Sequence, residues 1–142
     1  MIALILLACS SKVVPVAPDH AEAVLRIGEH ELTVEIVADS ETRALGLMNR
    51  DHLDENRGML FVYPGEAVRG FWMKNTRIPL TIAFANRKGK IVTLADMEPF
   101  DETRTSSFVP AKYALETNQG WFAERGIEHG FVIEGIPEVD VE

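Results

Sequence analysis

Cysteine is almost absent from this sequence, since Cys9 is the only one among 142 residues. The chain therefore cannot close an internal disulfide, and its folded part has to be stabilised by a hydrophobic core alone. Basic residues are also scarce, because 14 Lys and Arg stand against 22 Asp and Glu, for a formal net charge of −8. This charge repels the phosphates of nucleic acid, so we expect no nucleic-acid partner.

The sequence also lacks the motifs of common enzyme classes. It contains no Gly-x-Ser-x-Gly nucleophile motif and no glycine-rich phosphate loop. Its histidines are scattered without the spacing of metal ligands: His20, His30, His52 and His129. Four methionines are expected to fill the core rather than to bind copper(I): Met48, Met59, Met73 and Met97. We therefore predict no metal, no cofactor and no catalytic residues, and we lean toward a protein that is not an enzyme.

Cys9 ends a short apolar run, and Leu6-Leu7-Ala8-Cys9 resembles the lipobox of bacterial lipoproteins. In such signals the cysteine is acylated and the chain is cut before it, and two or three acyl chains give stable anchoring. Residues 1–8 are too short to span a bilayer, which needs ~20 apolar residues, and they lack a positive start. We interpret residues 1–8 as a truncated signal peptide and residues 9–20 as the lipidated cysteine with a flexible tether. A periplasm-facing, membrane-anchored envelope lipoprotein is expected.

Alternation of apolar and polar residues predicts a mainly β fold for residues 21–137, followed by a frayed acidic tail at 138–142. Val24, Ile27, Leu32, Val34 and Ile36 are expected to mark buried sides of the first two strands. Predicted strands cover 23–28, 31–38, 58–63, 68–73, 78–85, 90–94, 111–116 and 131–134. Gly28-Glu29-His30 is the expected hairpin connection between the first two strands. One short helix is predicted from Asp39 or Ser40 to Leu47, with Gly46 expected to weaken and end it, and another over 120–125. This pattern favours a compact β-sandwich or jelly-roll-like barrel with one or two short helices.

Three segments together resemble a known family. They are Arg43–Arg50 (RALGLMNR), Gly58–Tyr63 (GMLFVY) and Phe71–Leu80 (FWMKNTRIPL). The combination resembles the domain of unknown function 192 family, DUF192, over about residues 32–135. The resemblance implies a compact, mostly β domain of jelly-roll-like type, often secreted or lipid-anchored, with no established activity. The chain departs from the family pattern at Thr81, where many members carry Asp, and at Phe100, where many carry Cys.

The Trp72–Thr76 segment leaves an apolar strand and enters a polar turn. An indole beside the ammonium of Lys74, the amide of Asn75 and the hydroxyl of Thr76 forms a candidate binding platform for a glycan or a peptide. The alternative is structural: Trp72 belongs to the core, while Asn75 and Thr76 satisfy the backbone of the turn.

Arg50 follows the predicted helix and can hold a carboxylate with both arms of its guanidinium. That carboxylate belongs either to a ligand or to an internal partner, for which Asp51, Asp54 and Glu98 are the candidates.

The sequence thus favours a lipid-anchored envelope protein with a non-catalytic ligand- or protein-binding domain. Its partners would be the membrane, through acylated Cys9, and an envelope glycan, peptide or protein, met by Arg50 and the Trp72–Thr76 segment. One alternative is a hydrolase of cell-wall or envelope glycan that uses Glu98 with Asp96 or Asp101. Another is a structural or assembly factor without a small-molecule site.

Overall fold

The protein has a mainly β fold, as the sequence predicts. The structure, a computed structural model, describes residues 19–142. Strands make up 44% of residues 19–142 and helices 8%, so the predicted fold class is confirmed. Cys9, the predicted signal peptide and most of the predicted tether lie outside the described residues. Within residues 19–142, neither short helix has the length and apolar character that a membrane span requires.

Seven strands form one sheet that curls into a half-barrel. The strands are β1 Glu22–Ile27, β2 His30–Val37, β3 Arg57–Ala67, β4 Gly70–Phe71, β5 Leu80–Ala85, β6 Ile91–Met97, β7 Thr105–Ser106, β8 Ala111–Asn118 and β9 Ile133–Glu134. The helices are α1 Ser40–Leu45 and α2 Trp121–Glu124. The large sheet has the order β6-β5-β8-β3-β2-β1-β9, and β4 pairs with β7 in a second, two-stranded sheet. A bridge between Lys90 and Val132 brings the two edges of the large sheet together at one end. This arrangement corresponds to the barrel-like form of the prediction rather than to two stacked sheets.

The first hairpin forms at Gly28 as predicted, with Ile27 paired to His30 across the turn. Gly28 has φ +60°, a left-handed conformation that favours glycine. The expected burial of Val24 is wrong, because its side chain is 57% exposed while Leu25 and Ile27 are fully buried. Residues two apart share one face of a strand, so Val24 and Ile27 cannot both point inward.

The sequence predicts one strand over 68–73, read as the neighbour of the strand 58–63, and the structure corrects this. Only Gly70–Phe71 is a strand, and it pairs with β7. Ser107 donates its backbone N–H to the carbonyl of Arg69, and the Ser107 hydroxyl accepts from the Arg69 N–H. The backbone partners of Arg69, Gly70 and Phe71 therefore come from β7 and Ser107, whereas Met73 donates its N–H to the carbonyl of Asp101 at 2.7 Å. Strand β3 itself continues past Pro64-Gly65, where the sequence predicts its end, to Ala67.

The hydrophobic core consists of two clusters on opposite faces of the large sheet. On β3, Leu60 and Val62 belong to the first cluster, whereas Met59 and Phe61 belong to the second. Trp121 and Phe122 of α2 fill the first cluster. Because both faces of the central strands are covered, residues 59–62 of β3 and 82–85 of β5 are continuous apolar runs instead of alternating ones.

Helix α1 lies over the second cluster and forms one wall of the candidate site. Asp39 caps it as predicted, since its Oδ1 accepts the Thr42 N–H at 2.8 Å. The helix ends at Leu45, two residues earlier than predicted, because Gly46 has φ +49° and terminates it. A side chain at Gly46 would meet the Phe61 ring at 3.3 Å, so glycine allows this end of α1 to approach the sheet.

The C-terminal residues do not fray as expected. Val139 and Val141 are half-buried and pack against the first cluster. Glu142 donates its backbone N–H to the carbonyl of Ala38 at 3.0 Å. Alternation of valine with acidic residues places the apolar side chains on one side, which explains why this segment packs despite its charge.

Candidate functional site

An open cavity of about 440 Å³ lies between the second-cluster face of the sheet and the elements that cover it. One wall is α1 and the turn after it, and the other is the segment that begins with β4. The lining residues are Ser40, Arg43, Ala44, Leu45, Gly46, Leu47, Met48, Phe61, Tyr63, Gly70, Phe71, Trp72, Thr76, Arg104 and Glu116. We call this space the Glu116 cavity.

Glu116 is a carboxyl group embedded among apolar neighbours. It pairs with Met59 of β3 on one side and with Ile82 of β5 on the other, and both belong to the second cluster. Its side chain is buried, and burial raises the pKa of the carboxyl to about 8. At neutral pH Glu116 is therefore mainly protonated and offers an O–H donor to the cavity.

Glu116 is a site residue that was not identified from the sequence. The strand 111–116 is predicted, but not which face of it each residue occupies. Ala114 and Glu116 share a face because they are two residues apart, and Ala114 is fully buried. A charged residue in phase with a buried position is the signal that could have identified it.

Trp72 forms part of the rim and carries two cations against its ring. The guanidinium carbon of Arg104 is 4.5 Å from the ring centre, and the Lys74 Nζ is 5.2 Å away. Both distances are within the range of cation–π attraction. Phe71 and Met73 are buried, while Trp72 is half-buried and Lys74 is exposed, as strand alternation requires.

Tyr63 lines the cavity between two further arginines. The guanidinium carbons of Arg43 and Arg69 lie 4.8 Å and 3.8 Å from its ring centre. Arg43 donates to the main-chain oxygens of Ala38 and Val62, so it is held by the backbone. Burial raises the pKa of the Tyr63 hydroxyl and lowers the pKa of Arg69.

The cavity collects arginines that have no side-chain carboxylate partner. Elsewhere among the described residues, every arginine except Arg26 forms an ion pair with an acidic side chain: Arg50, Arg57, Arg77, Arg87 and Arg125. Arg43 and Arg104 line the cavity, and Arg69 stacks on its Tyr63, without such a pair in residues 19–142. The surroundings of the cavity are therefore locally positive in a chain of net charge −8.

Residues 23–135 match the model of the DUF192 family, whose description is "Uncharacterized ACR". The chain belongs to the DUF192 family. This confirms the resemblance carried by the Arg43–Arg50, Gly58–Tyr63 and Phe71–Leu80 segments. A comparison with curated proteins gave no match.

Two crystal structures share the fold. One is a protein from Sinorhizobium meliloti 1021 described as a candidate transcription regulator, with 32% identity and a TM-score of 0.81 over 84% of this chain and 98% of that one. The other is a protein of unknown function from Novosphingobium aromaticivorans, with 28% identity and a TM-score of 0.73 over 93% of this chain and 99% of that one. Both are covered almost completely, so the DUF192 fold accounts for nearly all of each.

The DUF192 segment Trp72–Thr76 divides between the cavity and the turn beside it. Trp72 and Thr76 line the cavity, and Lys74 contacts it only through Trp72. The Thr76 hydroxyl donates to the Lys74 carbonyl at 3.0 Å, which is the turn-satisfying role of the structural alternative. Asn75 is exposed with φ +53°, and its carbonyl accepts the Asn49 N–H at 2.9 Å. Ligand binding by these residues stays a prediction.

Arg50 lies away from the cavity and pairs with Glu35. Its Nη1 is 2.5 Å from Glu35 Oε2 and its Nη2 is 3.0 Å from Oε1. The expected internal partners, Asp51, Asp54 and Glu98, are therefore wrong, although the expectation of a two-pronged ion pair is correct. Glu35 lies on β2, and only the folding of the chain brings it beside the loop after α1.

The carboxylates of the hydrolase alternative are exposed, and none lines the Glu116 cavity. Glu98 accepts a hydrogen bond from the Gln119 side chain, and Asp96 accepts one from the Thr81 hydroxyl. Asp101 accepts the Thr103 N–H, and this bond lowers the pKa of the Asp101 carboxyl. These groups serve the local structure and do not converge on a cleft.

Three of the four methionines singled out in the sequence lie in the core, and the fourth lines the cavity. Met59, Met73 and Met97 are buried in the second cluster, and Met48 lines the cavity. Across residues 19–142, no three His, Cys, Asp or Glu side chains gather in a geometry suited to a metal ion.

Proposed function

We propose that this DUF192 protein is a non-catalytic binding protein of the bacterial envelope whose ligand occupies the Glu116 cavity. The observation that carries the proposal is the cavity itself. Its volume of about 440 Å³ lies within the ~300–1,000 Å³ range of small-molecule sites, and its walls combine apolar side chains with a few polar groups. Those polar groups include Glu116 and Thr76 at depth and Arg104 at the exposed rim.

The composition of the lining favours binding over catalysis. Glu116 is the sole carboxylate among the lining residues, which include neither histidine nor cysteine. Glycoside hydrolysis by paired carboxylates needs a second acidic group ~5–9.5 Å away. Asp96, Glu98 and Asp101 are not part of the lining, so they do not provide that partner.

The proposed location rests on the N-terminal sequence. Acylation of Cys9 would hold the domain at a membrane, and the polar residues up to 20 would let it reach envelope material. Metabolic labelling of the full chain with an alkyne fatty acid tests this directly. We expect labelled wild-type protein in the membrane fraction and no label on a Cys9→Ser variant; equal labelling of both would contradict the anchor.

Two other functions have less support. The description of the Sinorhizobium relative as a candidate transcription regulator raises the possibility of DNA binding. A net charge of −8 opposes contact with DNA phosphates.

A purely structural role would be favoured by a flat surface with one apolar patch. A concave site with an embedded acid and a tryptophan at its rim favours a ligand instead.

A ligand screen by thermal shift tests the binding function. Residues 19–142 are the sample, since they contain every described strand and helix and both core clusters. The screen should contain peptidoglycan fragments, other envelope glycans and cell-wall peptides. A compound that binds only the folded state stabilises it by ~2.7 kcal/mol at a hundredfold excess over its dissociation constant.

A hit should disappear in a folded Trp72→Leu variant. It should persist in a Lys88→Ala variant, because Lys88 lies in an exposed turn and is not a lining residue of the cavity. A hit that survives Trp72→Leu would place binding elsewhere. A screen without any shift would favour the structural or assembly role.

A further inference from the structure

The rim of the Glu116 cavity contains hydrogen-bond donors without protein partners. Arg104 is exposed, and its Nη1 donates to the Gly70 carbonyl at 3.2 Å. A guanidinium has five N–H donors in a planar fork. The remaining donors of Arg104 have no partner among the described side chains and backbone groups, and its guanidinium lies over the Trp72 ring.

The charges nearby add to that of Arg104. Lys74 lies against the same Trp72 ring, and neither cation forms an ion pair within residues 19–142. Arg43 lines the cavity and Arg69 stacks on Tyr63 at its wall. A concave site surrounded by charges of one sign concentrates ions of the opposite sign.

We propose that the ligand of the Glu116 cavity is an organic anion, whose carboxylate or phosphate group binds Arg104 at the Trp72 rim while its apolar part enters the cavity. This inference rests on the proposed binding function and specifies the charge of the ligand. The guanidinium fork matches the two oxygens of either group, which explains why an arginine suits this position better than a lysine. Phe61, Phe71 and Leu47 supply the apolar wall.

A negative ligand is not repelled by Glu116, because the carboxyl of Glu116 is mainly protonated at neutral pH. Burial raises its pKa to about 8, and the other charged lining groups are the cations Arg43 and Arg104. The protonated carboxyl can donate a hydrogen bond to the ligand. A cationic ligand would instead meet these arginines as like charges, so the cavity discriminates between the signs.

An NMR titration with matched probes tests the inference. The probes share a benzyl or phenyl group and differ in charge: phenyl phosphate and benzoate are anions, benzyl alcohol is neutral and benzylamine is a cation. The chain has two tryptophans, so a nitrogen-15 sample gives two indole signals. Trp72 reports on the rim, and Trp121, which is buried in the first cluster, is the internal control.

We expect the anions to shift the Trp72 signal and not that of Trp121, with an affinity at least ~tenfold above that of benzyl alcohol. Arg104→Ala should weaken the anions by ~tenfold or more and leave benzyl alcohol unchanged. Arg26→Ala is the matched control, because Arg26 is also exposed, bonded to one backbone carbonyl and without an ion pair in the described chain. The order of phenyl phosphate and benzoate tells which oxyanion the site prefers.

Three outcomes would overturn the inference. If benzyl alcohol or benzylamine binds as tightly as the anions, the cavity is a binding site without preference for negative charge, and the proposed function stands. If Arg104→Ala and Arg26→Ala weaken anions equally, the attraction is a property of the whole surface. If no probe moves the Trp72 signal, the anion inference fails, and a negative ligand screen would then remove the binding function as well.

Discussion

Arg50 holds the buried side chain of Glu35 through both arms of its guanidinium, at 2.5 Å and 3.0 Å. The pair connects the loop after α1 to the second strand of the sheet. Glu35 is 8% exposed, so its charge is largely removed from water and depends on Arg50 for compensation. The arginine that the sequence offers as a ligand-binding group is therefore part of the scaffold next to the cavity wall.

Removal of Arg50 should be costly. We expect Arg50→Ala to lower the free energy of unfolding by about 3 kcal/mol, because it leaves the Glu35 carboxylate buried without a partner. The double variant Arg50→Ala with Glu35→Gln should recover much of this loss, since no buried charge remains. Urea unfolding of the wild type, the two single variants Arg50→Ala and Glu35→Gln, and the double variant gives the values. Loss of stability that is additive in the double variant would show that the two charges do not interact.

Glu116 should make stability depend on pH. Its pKa is raised from an ordinary value of 4.5 to about 8 in the folded protein, so between these values the folded state keeps a proton that the unfolded chain has lost. Stability from this group is therefore full at low pH and decreases as pH rises toward about 8. Glu116→Gln should remove this decrease, so relative to wild type it gains up to ~4 kcal/mol between about pH 5 and about pH 9. If the free energy of unfolding of the two proteins differs by the same amount at all pH values, Glu116 is not a buried, protonated group.

Gly58 should tolerate no side chain. A Cβ at this position would lie 2.5 Å from the backbone carbonyl oxygen of Glu116 on the adjacent strand, which cannot move without disturbing the β3–β8 ladder. We expect Gly58→Ala to destabilise the protein by about 1–3 kcal/mol or more. Gly65→Ala on the same strand meets no atom within 4 Å and is the control. Thermal and urea unfolding that rank the two variants equally would contradict this account.

Asn75 should matter through its backbone conformation. Its φ of +53° lies in the left-handed region, where asparagine and glycine are tolerated better than alanine. We expect Asn75→Ala to cost about 1 kcal/mol and Asn75→Gly to cost much less. Affinity for an anionic probe should change little in Asn75→Gly. A large loss of affinity in a stable Asn75→Gly protein would show that the side-chain amide of Asn75 contributes to ligand binding.

The site could be predicted from the sequence only in part. Trp72 and Thr76 are candidates from the sequence because an indole and a hydroxyl lie in one polar turn after an apolar strand; both line the cavity, and their role in binding stays a prediction. Glu116 was missed because its importance comes from Met59 and Ile82, which flank it on neighbouring strands. Arg104 was missed for a similar reason, since it reaches Trp72 across the contact between β4 and the segment leading into β7.

The sequence by itself determined the features that depend on neighbouring residues. Two-residue alternation indicated most strands, Asp39 and Gly46 marked the ends of α1, and Gly28 marked the first turn, because side-chain direction and backbone φ are local properties. The family also followed from short contiguous segments. Tertiary structure alone decided that Arg50 binds Glu35, that β4 joins β7, and that Glu116 and Trp72 line the same cavity. These relationships depend on which distant segments become neighbours and in which register, and that is set by the packing of the whole sheet.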